Sequence, residues 1–408
     1  MHITILALGS RGDVQPYAVL GSGLRFAGHQ VRFVTFESFA SLVAENKLDF
    51  HPIHGDAQAL VTAGGADMFG LVRSFGSLAE GYARDLSAPQ LGKTDLIINQ
   101  LPGGLFGYDL AEKFGVPMAL ASVIPLARTK TFSLMGFPKL PFQVYNRATY
   151  YAGEQMAWQM FRTIINRWRK QTLHLPALPM KGYFEKIGTR QIPIMNGFSQ
   201  HVVPRPSDWG EHIHITGYWF PEQKDWEPPK ELVSFIEAGT PPVFIGFGSM
   251  PIKDPQRTTH IILEALKQTG QRGILHMGWG GLGNQSLPDT VLQIDYAPYA
   301  WLFPRMAMAI HHGGSGTTAF GLRSGIPSCV VSFVFDQHYW GERIAALGAG
   351  PRPIRYKQLT VERLKDAISS SIGNSQMHTK ASELGQKIQV EHGIENAITL
   401  FEKMVSPA

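Results

Sequence analysis

The feature that most constrains the fold of this chain is a pattern that occurs near its beginning and again in its second half. Each time, a short apolar run typical of a buried strand ends in a glycine-rich turn: residues 3–8 lead into residues 9–13, and residues 242–245 lead into residues 246–250. A helical segment follows the first turn, and we expect Pro16 to lie in its first turn. Strands that alternate with helices are typical of parallel, doubly wound sheets.

The second pattern echoes the first without repeating its sequence, so the chain is expected to form two α/β domains. A polar, proline-bearing stretch over residues 220–229 is typical of a linker between them. We expect an N-terminal domain over residues 1–220, a C-terminal domain over residues 221–390 and a C-terminal helix over residues 391–408. Ligands of such sheets bind beyond the carboxyl ends of the strands, which is where the glycine-rich turns lie.

Composition and charge narrow the class of protein. Hydrophobic residues make up 44% and charged residues 17% of the chain, which is the balance of an ordinary globular protein. The net charge of +5 is not gathered in a basic run, and no nucleic-acid motif is present. The N-terminal apolar run is too short for a signal peptide, and the apolar run over residues 116–127 is too short for a membrane span and holds two prolines. The single cysteine, Cys329, lies in an apolar strand-like run, so we expect a packing role and a reducing, cytoplasmic location.

The strongest candidate site is the segment over residues 311–318, which reads His-His-Gly-Gly-Ser-Gly-Thr-Thr after an apolar strand. Glycines let a backbone approach an anion closely. We expect Thr317 and Thr318 to begin a helix whose free N–H groups favour phosphate, and a histidine to add a donor, or a cation if it is protonated. The segment predicts a site for the diphosphate of a nucleotide sugar. A tight turn with a helix cap is the alternative.

Three weaker candidates accompany this segment. Asp336 and Gln337 follow an apolar strand and offer a carboxylate and an amide to neighbouring sugar hydroxyls. Asp13 lies at a helix N-terminus, where its ionised form could take a proton from an attacking hydroxyl, with plain helix capping as the alternative. Arg11 could reach a diphosphate, and Ser249 could help to hold a nucleotide, with a simple strand–helix turn as the alternative.

Several kinds of site are absent from the sequence. No Cys/His cluster has zinc spacing, and no repeated aspartate motif suggests a bound divalent metal. No Gly-x-x-x-x-Gly-Lys-Ser/Thr motif is present, which disfavours ATP hydrolysis. We therefore expect neither a metal nor a cofactor.

Residues 132–168 are rich in aromatic residues and methionine, and Arg167, Arg169 and Lys170 follow or overlap their end. Three interpretations stay open for this stretch. It could line an apolar pocket, pack as a helix on the domain core, or face a membrane as an amphipathic helix.

Four segments in chain order resemble family 1 glycosyltransferases, and the similarity covers nearly the whole chain. They are residues 9–16, 246–250, 304–327 and 336–341. The chain is most similar to sterol glucosyltransferases and to bacterial enzymes that glycosylate antibiotics. The similarity is weakest over residues 56–93 and over the aromatic stretch.

This resemblance implies an α/β fold of two Rossmann-like doubly wound domains that face a cleft, the GT-B fold. It implies an acceptor in the N-terminal domain, a donor in the C-terminal domain, and a C-terminal helix that crosses back to the N-terminal domain. It also implies metal-independent transfer of a sugar with inversion, from a nucleotide sugar such as UDP-glucose to a hydroxyl of a lipophilic molecule: a sterol, a polyketide or a flavonoid.

By the same resemblance, Asp13 is the general base. The residues that it implies for donor binding are Ser10, Arg11, Ser249, Tyr296, His311, Gly313, Gly314, Ser315, Gly316, Thr317, Asp336 and Gln337. The chain departs from the family at Tyr299 and Ala300, where sterol enzymes carry a His-Asp pair, and at Phe320, where plant enzymes carry a ribose-binding glutamate. The choice between UDP and TDP donors therefore stays open.

Other functions fit some of the same features. A nucleotide-sugar epimerase on a similar fold would need no acceptor. A non-catalytic protein could retain the donor site alone, and a nicotinamide-dependent oxidoreductase is a more distant alternative. Contact with nucleic acid is not expected. Weak peripheral contact with a membrane stays open, and the sequence leaves the acceptor, the sugar and the oligomeric state open as well.

Overall fold

A computed structural model describes residues 1–55, 85–86, 91–101, 106–221, 226–278, 280–282 and 286–405. Most of the segment where the family resemblance is weakest, and residues 222–225 of the expected linker, lie outside these described residues. The chain divides into two compact units. The first unit comprises Met1–Gln200, Pro204–Pro221 and His392–Ala408, and the second comprises His201–Val203 and Glu222–Glu391.

The first unit is built on a sheet of seven parallel strands, in the order β3-β2-β1-β4-β5-β6-β7. The strands are β1 His2–Leu6, β2 Gln30–Phe36, β3 Asp49–Ile53, β4 Leu96–Leu101, β5 Met118–Ser122, β6 Ile194–Asn196 and β7 Ile213–Ile215. The helices described in this unit are α1 Arg11–Phe26, α2 Ala40–Glu45, α3 Gly107–Phe114, α4 Gln143–Trp168, α5 Phe184–Thr189 and, at the C-terminus, α13 Gly393–Val405.

The second unit is built on six parallel strands, in the order β10-β9-β8-β11-β12-β13. They are β8 Val243–Gly246, β9 Gly273–His276, β10 Val291–Ile294, β11 Met308–His311, β12 Ser328–Ser332 and β13 Ile354–Arg355. The helices are α6 Lys230–Glu237, α7 Pro255–Thr269, α8 Tyr299–Leu302, α9 Ser315–Arg323, α10 Phe335–Ala346, α11 Val361–Ile372 and α12 Ser375–Gln389.

Both sheets reverse their strand order at one place, between β1 and β4 in the first unit and between β8 and β11 in the second. Loops on either side of such a reversal leave the sheet in opposite directions and open a crevice at the carboxyl ends of the strands. The prediction of an α/β fold with two Rossmann-like doubly wound domains is confirmed.

The start of α1 differs from the prediction. The helix begins at Arg11, so Pro16 lies in its second turn and the prediction for Pro16 is wrong. The helix can begin this early because the Asp13 carboxylate accepts a hydrogen bond from the Ser10 N–H at the helix N-terminus. The residues predicted to form only a turn therefore form the first turn of the helix.

The C-terminal helix α13 packs against α1 in the first unit. A Cβ atom at Gly23 would lie 2.5 Å from Ile394 Cγ2, so α1 needs a glycine where the last helix crosses it. Asn396 holds the same helix in place by donating to the Thr216 carbonyl at 3.0 Å. Residues far apart in sequence thus complete the core of the first unit.

Residues 143–168 of the aromatic stretch form α4, of which Tyr150, Trp158 and Phe161 are buried. The basic residues at the end of this stretch are not all exposed. Arg169 is buried and forms an ion pair with Asp109. The membrane-facing interpretation is therefore wrong for Arg169. Among the described residues, no helix is both long and apolar enough to cross a membrane.

Cys329 lies on β12 and is buried, as its apolar surroundings predicted. Burial disfavours the thiolate and raises the pKa of the thiol to about 12. The side chain is therefore a neutral packing group.

Candidate functional site

The strongest predicted segment lies at the strand-order reversal of the second unit. His311 ends β11, and α9 begins at Ser315, so His312, Gly313 and Gly314 form the turn between strand and helix. The prediction that the helix begins at Thr317 is wrong by two residues. The first intrahelical bond at this end runs from the Thr318 N–H to the Gly314 carbonyl at 2.9 Å. The N–H groups of residues 315–317 precede it and form the positive end of the helix dipole.

Gly313 cannot be replaced without moving its surroundings. Its φ of +89° lies in the left-handed region, and an added Cβ would lie 2.6 Å from Val330 Cγ1. Its N–H donates to His311 Nδ1 at 3.0 Å. The glycine therefore both makes the turn and orients the neighbouring imidazole.

The structure brings two of the predicted glycine-rich turns together at the ring of His312. A Cβ at Gly248 would lie 3.0 Å from His312 Cε1, and a Cβ at Gly314 would clash with His312 Nε2. Gly248 also has a φ of +57°. Glycine at both positions thus makes room for one imidazole between the turns after β8 and β11.

Burial decides the charge of both histidines. His311 is 0% exposed, and burial with the nearby His312 lowers its pKa to about 3. Burial with the nearby His276 lowers the pKa of His312 to about 4. Of the two roles predicted for a histidine here, the lowered pKa values favour the neutral donor over the cation near neutral pH.

His311 can act instead as a neutral hydrogen-bond donor. Because Nδ1 accepts from Gly313, the ring proton lies on Nε2. Nε2 is buried and has no partner among the described residues. A buried donor that lacks a partner costs free energy, and an anionic oxygen would satisfy it.

Asp336 and Gln337 both lie in the first turn of α10, but their surroundings differ. Gln337 is 3% exposed, and its Oε1 accepts from Phe333 N at 2.8 Å and Val334 N at 3.2 Å. Its Nε2 donates to Met250 Sδ at 3.0 Å, which ties α10 to the turn after β8. The amide of Gln337 therefore caps a helix and links two turns, whereas Asp336 is half-buried.

The remaining donor candidates lie at the same edge of this sheet. Ser249 is half-buried in the turn after β8, and Tyr296 follows β10 with 56% of its surface exposed. Tyr299 stacks on Phe303 with ring centroids 4.5 Å apart and belongs to the apolar core. An exposed tyrosine ring can stack on a nucleobase, whereas Tyr299 is committed to packing.

Asp13 lies at the strand-order reversal of the first unit, in the first turn of α1. Its Oδ2 accepts from both the N–H and the Oγ–H of Ser10, each at 2.8 Å. Gly9 has a φ of +134°, and a Cβ there would lie 2.7 Å from Oδ2, so the turn requires glycine. Burial raises the pKa of Asp13, and the two bonds from Ser10 partly oppose that rise. A higher pKa makes the carboxylate a stronger base.

The neighbours of Asp13 have separate tasks. The Ser10 hydroxyl donates to Asp13 Oδ2 in this structure. Arg11 is exposed, and its Nε donates to Gln15 Oε1 at 3.2 Å. The guanidinium of Arg11 is therefore a charged group at the surface of the first unit.

Gln100 was not predicted, although it supports the turn that carries Asp13. It lies on β4 across the reversal, is buried, donates to the Asp13 carbonyl at 3.0 Å and accepts from Leu8 N at 2.6 Å. A polar residue within the apolar run of β4 was the signal in the sequence. Among the described residues, no group of three or more His, Cys, Asp or Glu side chains could hold a metal ion.

Two family profiles match the chain. Residues 3–85 match the Glycosyltransferase family 28 N-terminal domain. Residues 262–392 match the domain described as Erythromycin biosynthesis protein CIII-like, C-terminal domain. The two matches fall on different halves of the chain.

Solved structures share the fold over the full length. The glycotransferase of kitacinnamycin is 20% identical, with a TM-score of 0.74 and coverage of 99% of each chain. The calicheamicin glycosyltransferase CalG4 is 17% identical, with a TM-score of 0.71 and coverage of 100% of this chain and 99% of the other. At these identities the likeness shows the GT-B fold alone.

Curated relatives are more similar in sequence. A sterol 3-beta-glucosyltransferase of Arabidopsis thaliana is 35% identical over 100% of this chain and 68% of its own length. A second one from that plant is 34% identical, and the chain spans 66% of its length. One from Neurospora crassa is 33% identical over 98% of this chain, which spans only 27% of the fungal protein. The chain is a glycosyltransferase and belongs to the family of these sterol 3-beta-glucosyltransferases.

Proposed function

We propose that the protein transfers glucose from UDP-glucose to a hydroxyl of a lipophilic molecule, with a sterol as the first candidate, by a metal-independent reaction with inversion. The observation that carries this proposal is the turn between β11 and α9. It combines a helix N-terminus with a neutral, buried donor on His311 that lacks a partner among the described residues. The names of the curated relatives support the sterol acceptor.

The turn suits the diphosphate of the donor. The N–H groups of residues 315–317 and the Nε2–H of His311 supply donors with partial positive charge. Charge develops on the diphosphate as its bond to the sugar breaks, and fixed dipoles stabilise it without rearrangement. Gly313 and Gly314 let the backbone approach the phosphate oxygens closely.

Other residues would hold the rest of the donor. Tyr296 would stack on the nucleobase because its ring is exposed. The Asp336 carboxylate would accept hydrogen bonds from sugar hydroxyls, and Gln337 would fix the first turn of α10 from inside the unit. Ser249 and Arg11 would add contacts to the diphosphate.

Asp13 would act on the acceptor. The acceptor oxygen forms a bond to the anomeric carbon on the face opposite the diphosphate, its proton passes to the Asp13 carboxylate, and the bond to the diphosphate oxygen breaks to release UDP. The sugar ring carries positive charge in the transition state, as it does in glycoside hydrolysis.

Product analysis tests the proposal. The protein is incubated with UDP- and TDP-sugars together with sterols, polyketides and flavonoids, and the products are examined by mass spectrometry. We expect a sterol that has gained one hexose, with UDP as the coproduct, and far less product with the Asp13→Asn variant. Conversion of the UDP-sugar without any acceptor would support the epimerase instead. Donor binding without turnover on any acceptor would support a non-catalytic protein.

A further inference from the structure

The first turn of α10 is attached to the end of β12 by two neighbouring side chains. Gln337 Oε1 accepts from the N–H groups of Phe333 and Val334, which follow the strand. The next residue, His338, reaches the strand itself, since its Nδ1 lies 3.1 Å from Oγ of Ser332, the last residue of β12. The start of α10 is therefore held to the strand end at two places.

Glu342 favours one form of the His338 ring. It lies one turn further along α10, and its Oε1 is 3.6 Å from His338 Nε2. A carboxylate on that side favours a proton on Nε2, so Nδ1 of the neutral ring accepts from the Ser332 hydroxyl. If the ring is protonated, the hydroxyl rotates and accepts instead. Because Ser332 is buried, its hydroxyl depends on this partner in either charge state.

The two attachments fix the rotation of α10 about its own axis. Successive residues of an α-helix project about 100° apart, so Asp336 leaves the helix on a different side from His338. A side chain reaches about 6 Å from the helix axis, so a rotation of about 10° would move the Asp336 carboxylate by about 1 Å. Such a shift spoils hydrogen bonds, whose donor–acceptor distances lie within about 2.5–3.2 Å.

We propose that Ser332 and His338 position Asp336 for the sugar of the donor, and that this contact sets how well the protein distinguishes one sugar from another. Both are positioning residues, because they act through α10 and are assigned no contact with the donor. The inference rests on the proposed function, in which the Asp336 carboxylate accepts from sugar hydroxyls. It adds the contact that gives this carboxylate its direction.

Binding of paired sugar nucleotides to the full chain tests the proposal. UDP-glucose and UDP-galactose differ in the configuration of one hydroxyl, and UDP alone reports the rest of the donor site. We expect Ser332→Ala to weaken UDP-glucose binding by about threefold to tenfold, and UDP-galactose binding less, so that the ratio of the two Kd values falls. The Kd of UDP should stay within about twofold. Calorimetry measures all three, and TDP-glucose and TDP-galactose are compared in the same way.

The matched control is Ser328→Ala. Ser328 is buried at the other end of β12, and its hydroxyl donates to the Ile326 carbonyl at 3.5 Å. This variant also loses a buried hydroxyl of the same strand, but it leaves the start of α10 untouched. We expect an unchanged ratio of Kd values. Urea unfolding of every variant measures stability separately, since a residue that served the fold alone would lose stability without changing the ratio.

Two substitutions of His338 separate its two contacts. Asparagine places its amide near the position of Nδ1, so His338→Asn can still bond to Ser332. Glutamine places its amide near the position of Nε2, so His338→Gln keeps the side toward Glu342 and loses the strand. We expect nearly native discrimination between the sugars in His338→Asn, and in His338→Gln a loss as large as in Ser332→Ala.

Asp336→Ala distinguishes failure of this inference from failure of the proposed function. If Asp336→Ala lowers the ratio while Ser332→Ala and His338→Gln do not, the sugar contact stands and the positioning is wrong. If Asp336→Ala changes nothing, or if the native protein binds both sugars equally, the sugar contact is wrong and the positioning is overturned with it. An equal loss in Ser328→Ala, or in His338→Asn as in His338→Gln, also overturns the inference. Transfer to a sterol is measured with the same proteins, so that absence of transfer is seen apart from sugar binding.

Discussion

The Asp13 carboxylate serves two purposes at once. Its Oδ2 accepts both hydrogen bonds from Ser10, which caps α1. No hydrogen bond in the described part of the chain involves Oδ1, which is left to take a proton from an acceptor. The capping and general-base interpretations of this residue are therefore compatible, because each uses a different oxygen.

Replacement of Asp13 by Asn tests the base role. We expect kcat to fall by ~10²–10⁴, because the amide cannot take the acceptor proton. The donor Kd should change little, since Asp13 is assigned to the acceptor hydroxyl and makes none of the proposed donor contacts. Steady-state kinetics and calorimetry with UDP-glucose measure the two quantities. Unchanged turnover would contradict the assignment.

The pH dependence of kcat/KM tests the surroundings of the same carboxylate. The base must be ionised, so activity is present above its pKa and is lost as pH falls through it. Because burial raises the pKa of Asp13, this loss should occur at a higher pH than the ordinary Asp value of about 3.9 allows. Ser10→Ala removes a bond that lowers the pKa, so its acidic limb should move to still higher pH. An identical limb in both proteins would show that Asp13 does not set it.

His311 should bind the donor as a neutral group. Since burial lowers its pKa to about 3, the donor Kd should not follow a histidine titration between about pH 5 and 8. His311→Ala should weaken donor binding by about 10- to 100-fold through loss of the Nε2 donor. His260→Ala, at an exposed position on α7, is the control. A Kd that rises with a midpoint near the usual histidine pKa would contradict the neutral form.

At the scale of elements, the turns are held by side chains from neighbouring strands and helices. Gln100 on β4 bonds to the chain on both sides of the turn that carries Asp13, and Gln337 on α10 bonds to Met250 beyond β8. Each amide side chain thus links its own strand or helix to a turn that is distant in sequence. The position of a reacting group therefore depends on elements distant in sequence.

Gln100→Met tests this dependence. The change keeps the size of the side chain but leaves the Leu8 N–H and the Asp13 carbonyl without their partner. We expect the free energy of unfolding to fall by roughly 2 kcal/mol, and kcat to fall more than the donor KM rises. Urea unfolding and kinetics measure these effects. A loss of stability with unchanged kcat would assign Gln100 to the fold alone.

At the scale of the whole molecule, each unit is assembled from segments that are separated in sequence. Helix α13 belongs to the first unit, although it follows the second unit in the sequence. The second unit includes His201–Val203, where Arg343 donates to the Val202 carbonyl at 2.6 and 3.0 Å. Both units thus depend on chain segments that lie outside their main sequence range.

Gly23→Val tests the return of the last helix. The new side chain would overlap Ile394, so α13 must shift or detach from α1. We expect faster amide hydrogen exchange over residues 393–405 and a loss of about 1–3 kcal/mol of stability. Ser22→Ala at the neighbouring half-buried position should leave both unchanged. Unchanged exchange in Gly23→Val would show that this crossing does not hold the helix.

Much of the fold was predictable because its signals are local. The apolar runs that became β1, β8 and β11 and the glycines that follow them are visible in the sequence, since strand burial and positive φ impose residue types directly. The positions of helix starts were less predictable. Residues 11–13 and 315–316 were expected in turns and lie in helices, because caps and first intrahelical bonds decided the boundary.

The sequence by itself determined the two doubly wound domains, and it predicted the place of the candidate ligand sites and the residue types available there. Only the tertiary structure decided how those residues act. Burial made His311 a neutral donor and raised the pKa of Asp13, and packing placed His312 between Gly248 and Gly314. It also committed Gln337 to a helix cap and recruited Gln100 to the turn that carries Asp13. Desolvation, hydrogen-bond partners and exposure depend on which distant segments meet, and no local pattern carries that information.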